Sequence, residues 1–105
     1  MKGIEEALEG IARGLRSMLS GPQDDRIMIF KRIDPFFLRL EGELKRSPNA
    51  FAHEKLQELR LHAIIIARLD DPDGHSDDQH CSWAMGAIDA LRGPRGFGAA
   101  PGRSQ

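Results

Sequence analysis

The chain contains no valine, no threonine and no tyrosine, so isoleucine is its sole β-branched residue. Strands draw heavily on those missing types, because branched and aromatic side chains pack well on a pleated surface. Leu, Ala, Glu, Lys, Arg, Met and Gln lose little rotamer freedom in a helix, and they are abundant here. A β fold is nearly excluded, and an all-α chain is expected. The 105 residues allow one domain with one core, but no enclosed cavity with a lid.

Pro22, Pro48, Pro72 and Pro94 recur at similar intervals beside turn residues. Proline lacks an N–H and clashes with the preceding turn, so it stops or starts helices. In the first segment, about Ile4 to Leu19, Ile4, Leu8, Ile11, Leu15, Met18 and Leu19 make one helical stripe. Glu5, Glu6 and Glu9 near its start and Arg13 and Arg16 near its end suit the helix dipole. Glu9 and Arg13 have the i,i+4 order of an ion pair. Gly10 and Gly14 each weaken the helix by up to about 1 kcal/mol. They fit either a dimer contact or, more simply, relief of crowding inside the bundle.

The second segment, about Asp24 to Arg46, carries a seam at Phe30, Ile33, Phe37, Leu40 and Leu44, spaced 3-4-3-4. Its phase survives Pro35, which predicts a rod kinked or briefly broken there. After the possible caps Ser47 and Asn49, the third segment repeats the pattern at Ala52, Leu56, Leu59, Ala63 and Ile66. Leu61, Ile64 and Ile65 fall on other faces, so its C-terminal half is expected to be buried nearly all round. The fourth segment opens on the capping-box sequence Ser76-Asp77-Asp78-Gln79. It presents Cys81, Ala84, Ala87, Ile88 and Leu91 inward and closes at Gly93-Pro94. The expectation is a compact bundle of three to four helices over residues 1–92, with a flexible Gly/Pro-rich tail over 93–105.

The start of the chain lacks the apolar core of a secretory signal, and its longest apolar run is five residues, from Ala63 to Ala67. Spanning a bilayer takes about 20. With a lone Cys81, which cannot form an internal disulfide, this points to a cytoplasmic protein without membrane partners. The net charge of −1 hides a division, with six basic and three acidic residues between Arg26 and Ser47 and five aspartates between Asp70 and Asp78. Lys31, Arg32, Arg39, Lys45 and Arg46 could touch phosphates, the basis of a nucleic-acid-binding alternative. Alternating charges on a solvated helix face explain them more simply.

The loop Asp70-Asp71-Pro72-Asp73-Gly74-His75 suggests calcium, but in EF-hand register Leu69 and His80 would occupy two essential ligand positions. His75, Asp77, Asp78, His80 and Cys81 are the densest set of potential metal ligands. Adjacent helical residues such as His80 and Cys81 point about 100° apart, and no tetrahedral spacing emerges. No metal or cofactor is expected; Cys81 is read as a small core residue and His80 as a boundary one. His53 and His62 lie nine apart, on opposite sides of a helix. No serine has a nucleophile-elbow context, and no Walker loop or dinucleotide fingerprint occurs.

The stretch from His75 to Arg92, with Trp83, Gly86, Ile88 and Ala90-Leu91-Arg92, resembles the C-terminal helix of small all-helical proteins of tailed-bacteriophage gene clusters. The resemblance implies no enzymatic activity. A leucine-rich continuation after Arg92, usual in that family, is replaced here by the Gly/Pro tail. Phe36, Phe37, Leu38 and Trp83 remain as apolar side chains beyond what one bundle face accommodates, and are candidate anchors for a protein partner or a homodimer. The sequence thus points to a non-enzymatic interaction or adaptor protein, with a phage accessory or morphogenesis role as its specific form.

Overall fold

Two of the helix starts fall where a side chain satisfies one of the first unpaired N–H groups. Asn49 Oδ1 accepts from the Ala52 N–H and Ser76 Oγ from the Gln79 N–H, each at 3.0 Å. The computed structural model describes residues 2–68 and 74–98, and these contain four helices and no strand. Helix α1 spans Lys2–Ser20, α2 Arg26–Arg46, α3 Ala50–Ile66 and α4 Asp77–Arg92, with a 3-10 turn at Gln23–Asp25 before α2. The Asp70–Asp73 part of the acidic loop lies outside the described residues. Pro35 sits within α2, which continues through it as one helix. The Lys31 carbonyl has no N–H to accept from there.

The helices run up and down around one core, and a few polar links fix their order. Arg39 Nη1 in the C-terminal half of α2 donates to the Gly3 carbonyl at the start of α1, at 3.4 Å. Arg92 at the end of α4 holds Glu5 and Glu9 of α1, at 2.8 and 3.2 Å. At the opposite end, buried Arg26 of α2 donates from Nη1 to the Ile66 carbonyl (3.1 Å) and to Asp77 Oδ2 (2.8 Å). Arg68 grips the same carboxylate at 2.9 and 3.2 Å, so Asp77 ties α2 and the end of α3 to the start of α4. Arg26 Nε is buried with no hydrogen-bond partner among the described residues.

The predicted stripes form the core. Ile4, Leu8, Ile11, Leu15 and Met18 meet Phe30, Ile33, Phe37, Leu40 and Leu44, with Leu56, Leu59, Ile66, Ile88 and Leu91 closing from the other pair. At Gly10 and Gly14 side chains of α2 occupy the space a Cβ on α1 would need. A Cβ at Gly10 would run into the Phe36 ring, and one at Gly14 into the Ile33 side chain. They relieve crowding inside the bundle.

Several expectations change. Phe37 is completely buried, because it keeps phase with Phe30, Ile33, Leu40 and Leu44. It offers no surface to a partner. Leu61 is exposed, so the C-terminal half of α3 is not buried all round. His80 is core, not boundary. Glu9 contacts Arg16 and Arg92, not Arg13. The expected tail does not hold for its first six residues: the Phe97 N–H donates to the Leu91 carbonyl at 2.7 Å, Asn49 Nδ2 donates to the Arg95 carbonyl at 3.0 Å, and Phe97 packs on the core. Residues 99–105 lie outside the described set.

Candidate functional site

Once the core is assigned, five large apolar side chains among the described residues remain in solvent: Ile27 (43% exposed), Met28 (59%), Leu38 (61%), Leu61 (49%) and Trp83 (40%). Leu38 and Trp83 are among the four predicted anchors; Ile27 and Met28 belong to the surplus apolar face of α2, and Leu61 stands on α3. Phe36 is half-buried, its ring lying over Gly10 with the Arg39 guanidinium 5.7 Å from its centroid. The four predicted anchors therefore do not form one patch. Phe37 is inside, Phe36 faces α1, Leu38 lies on another side of α2, and Trp83 sits on α4.

The outward side of α3 is set by three consecutive residues. Arg60 reaches α2, its Nη2 donating to Asp34 Oδ1 at 3.2 Å. His62 reaches α4, its ring 5.4 Å from that of Trp83. Leu59 and Ala63 point into the core. Leu61, between these directions, faces away from the bundle. Leu38 belongs to the helix on one flank of it and Trp83 to the helix on the other.

Behind Trp83 lies a ring cluster that spacing along single helices could not reveal. His62 Nδ1 and His80 Nδ1 are 2.8 Å apart, so one must donate and the other accept a single proton. His75 meets His80 at 5.9 Å and Trp83 at 4.9 Å, both edge to face. The available signal was hairpin symmetry: His62 precedes the α3–α4 turn by about as much as His80 follows it. His53, on the other side of α3, lines a separate groove with Glu41 and Lys45 of α2. Among the described residues no group of three or more His, Cys, Asp or Glu side chains is arranged to hold a metal. Burial raises the Cys81 thiol pKa, Asp78 raises it further, and Arg16 offsets part of this.

The basic residues proposed for nucleic acid do not form one row. Lys31 and Arg32, like Lys45 and Arg46, diverge by about 100°. Arg39 lies 3.9 Å from Glu6, and Arg46 pairs with Glu43. Two further grooves border helix pairs. One of about 540 Å³ between α3 and α4 is lined by Lys55, His62, Trp83 and Gly86. Another of about 590 Å³ between α1 and α2 is lined by Arg13, Gly14, Met28, Ile29, Arg32 and Ile33, with Ser17 and Asp25 also on its border. No helix among the described residues is long and apolar enough to cross a membrane. No protein-family model, curated protein or solved structure matches the chain.

Proposed function

We propose that this protein is a non-enzymatic interaction module that docks on another protein through helix-on-helix burial. The observation that carries the reading is Leu61, an exposed leucine on the outward side of α3, with Leu38 of α2 and Trp83 of α4 also exposed while the core is complete without them. Leucines this exposed add nothing to a packed interior. Apolar anchors standing singly among charged residues suit a non-obligate interface, whose rim is polar, better than the broad apolar face of an obligate homodimer. The partner is therefore read as a different protein. A phage accessory or morphogenesis role is the specific form of this proposal, and it rests on the pattern from His75 to Arg92 alone.

The test compares affinity capture by the wild-type chain with capture by a Leu38→Asp/Leu61→Asp double variant whose helical circular dichroism is unchanged. A partner retained by the first and lost by the second supports the reading. Identical capture by both would remove it. Sedimentation velocity run alongside should find a monomer.

A further inference from the structure

The arginines of α1 and α2 separate into two groups. Arg16 faces Glu9, Arg26 faces Asp77, Arg39 faces Glu6 and Arg46 faces Glu43. Arg13 and Arg32 have no carboxylate partner among the described residues, and they are the two that line the α1–α2 groove. Elsewhere Arg60, Arg68 and Arg92 are also ion-paired, and Arg95 lies 4.3 Å over the Phe51 ring. The unpaired guanidiniums of the described chain are thus concentrated on one groove. Its floor is apolar, formed by Gly14 and Ile33, and exposed Met28 and half-buried Ile29 stand on the α2 wall.

We propose that this groove receives an amphipathic helix of a partner protein, with leucine-like side chains on Met28, Ile29 and Ile33 and carboxylates on Arg13 and Arg32. The inference rests on the interaction reading above and adds a second surface with a stated chemistry. A guanidinium presents a planar fork that matches a carboxylate, and the two arginines come from different helices, so together they fix the orientation of a bound helix. Asp25 borders the groove at its turn end, which repels acidic residues there and sets the partner's register. Methionine adapts its shape to an incoming apolar stripe. Nucleic acid fits less well, because tight binding neutralises roughly 6–10 phosphates, whereas most other arginines are already paired.

The test titrates the full chain against three labelled probes by fluorescence anisotropy. Two are designed helical peptides of about 18 residues, or five turns, sharing one leucine stripe flanked by Glu in one and Lys in the other. The third is random duplex DNA. The Leu/Glu peptide should bind at least about tenfold more tightly than the Leu/Lys peptide, near 1.4 kcal/mol. Arg13→Glu and Arg32→Glu should reverse that preference, and Arg13→Gln should weaken it without reversing it. Both positions are exposed, so the variants keep their fold. Equal binding of both peptides, no binding of either, or binding of DNA alone would overturn the proposal. Loss here with the Leu38/Leu61-dependent capture intact would remove this groove and leave the interaction reading standing.

Discussion

Removing the Asp77 carboxylate should take the anionic partner from two guanidiniums at once, buried Arg26 and exposed Arg68, because both donate to it. Arg26 is buried and already has one unpartnered nitrogen, so it has no route back to water. Asp77→Asn is expected to lose about 2–3 kcal/mol in urea denaturation, against no more than about 0.5 for Asp78→Asn on the exposed side. Burial alone would raise the Asp77 pKa, but the Arg26 and Arg68 hydrogen bonds outweigh it and hold the carboxyl below its ordinary value. Its contribution is then complete above about pH 4 and fades as pH falls through the depressed value. The stability gap between wild type and Asp77→Asn should narrow on acidification; a gap that stays constant would refute the assignment. Cys81, buried and held protonated, should alkylate far more slowly at neutral pH than in the urea-unfolded chain.

At the scale of the helix, Gly10 and Gly14 look equivalent in sequence but have different neighbours. Alanine at either position gains up to about 1 kcal/mol of helix propensity and meets overpacking of about 1–3 kcal/mol. The Phe36 ring beside Gly10 is half-exposed and can swing outward, whereas Ile33 beside Gly14 is buried. Gly14→Ala should therefore lower the melting temperature more than Gly10→Ala. In a Phe36→Ala background Gly10→Ala should become stabilising, and an unchanged sign would contradict the contact. Much of this level is legible in the chain. The Phe30–Leu44 seam, the Ser76 cap and the closure at Gly93 follow from periodicity and from the need to satisfy terminal N–H groups. The burial of Phe37 is also legible in that seam, although Phe36 and Leu38 beside it are apolar too and make the run of three read as surplus. Periodicity could not show that Leu61 lies on the open side of α3, because that depends on where α2 and α4 pack.

For the whole molecule, the parts hidden from sequence reading are those where two helices meet. The His62–His80 contact joins residues that no single-helix spacing relates, and Glu9 leaves Arg13 because Arg16 and Arg92 hold it. The Arg92 links between α4 and α1 are largely solvated, so Arg92→Ala should cost no more than about 1 kcal/mol and less in high salt. Leu38→Ser and Leu61→Ser should leave thermal stability within about 0.5 kcal/mol of wild type, since neither side chain fills the interior. The chain has a single tryptophan, and Trp83 stands beside the outward side of α3. The α1–α2 groove borders the opposite helix pair. Indole emission is thus a native optical reporter of the first surface and blind to the second, so one unlabelled sample can reveal which of them an arriving molecule covers.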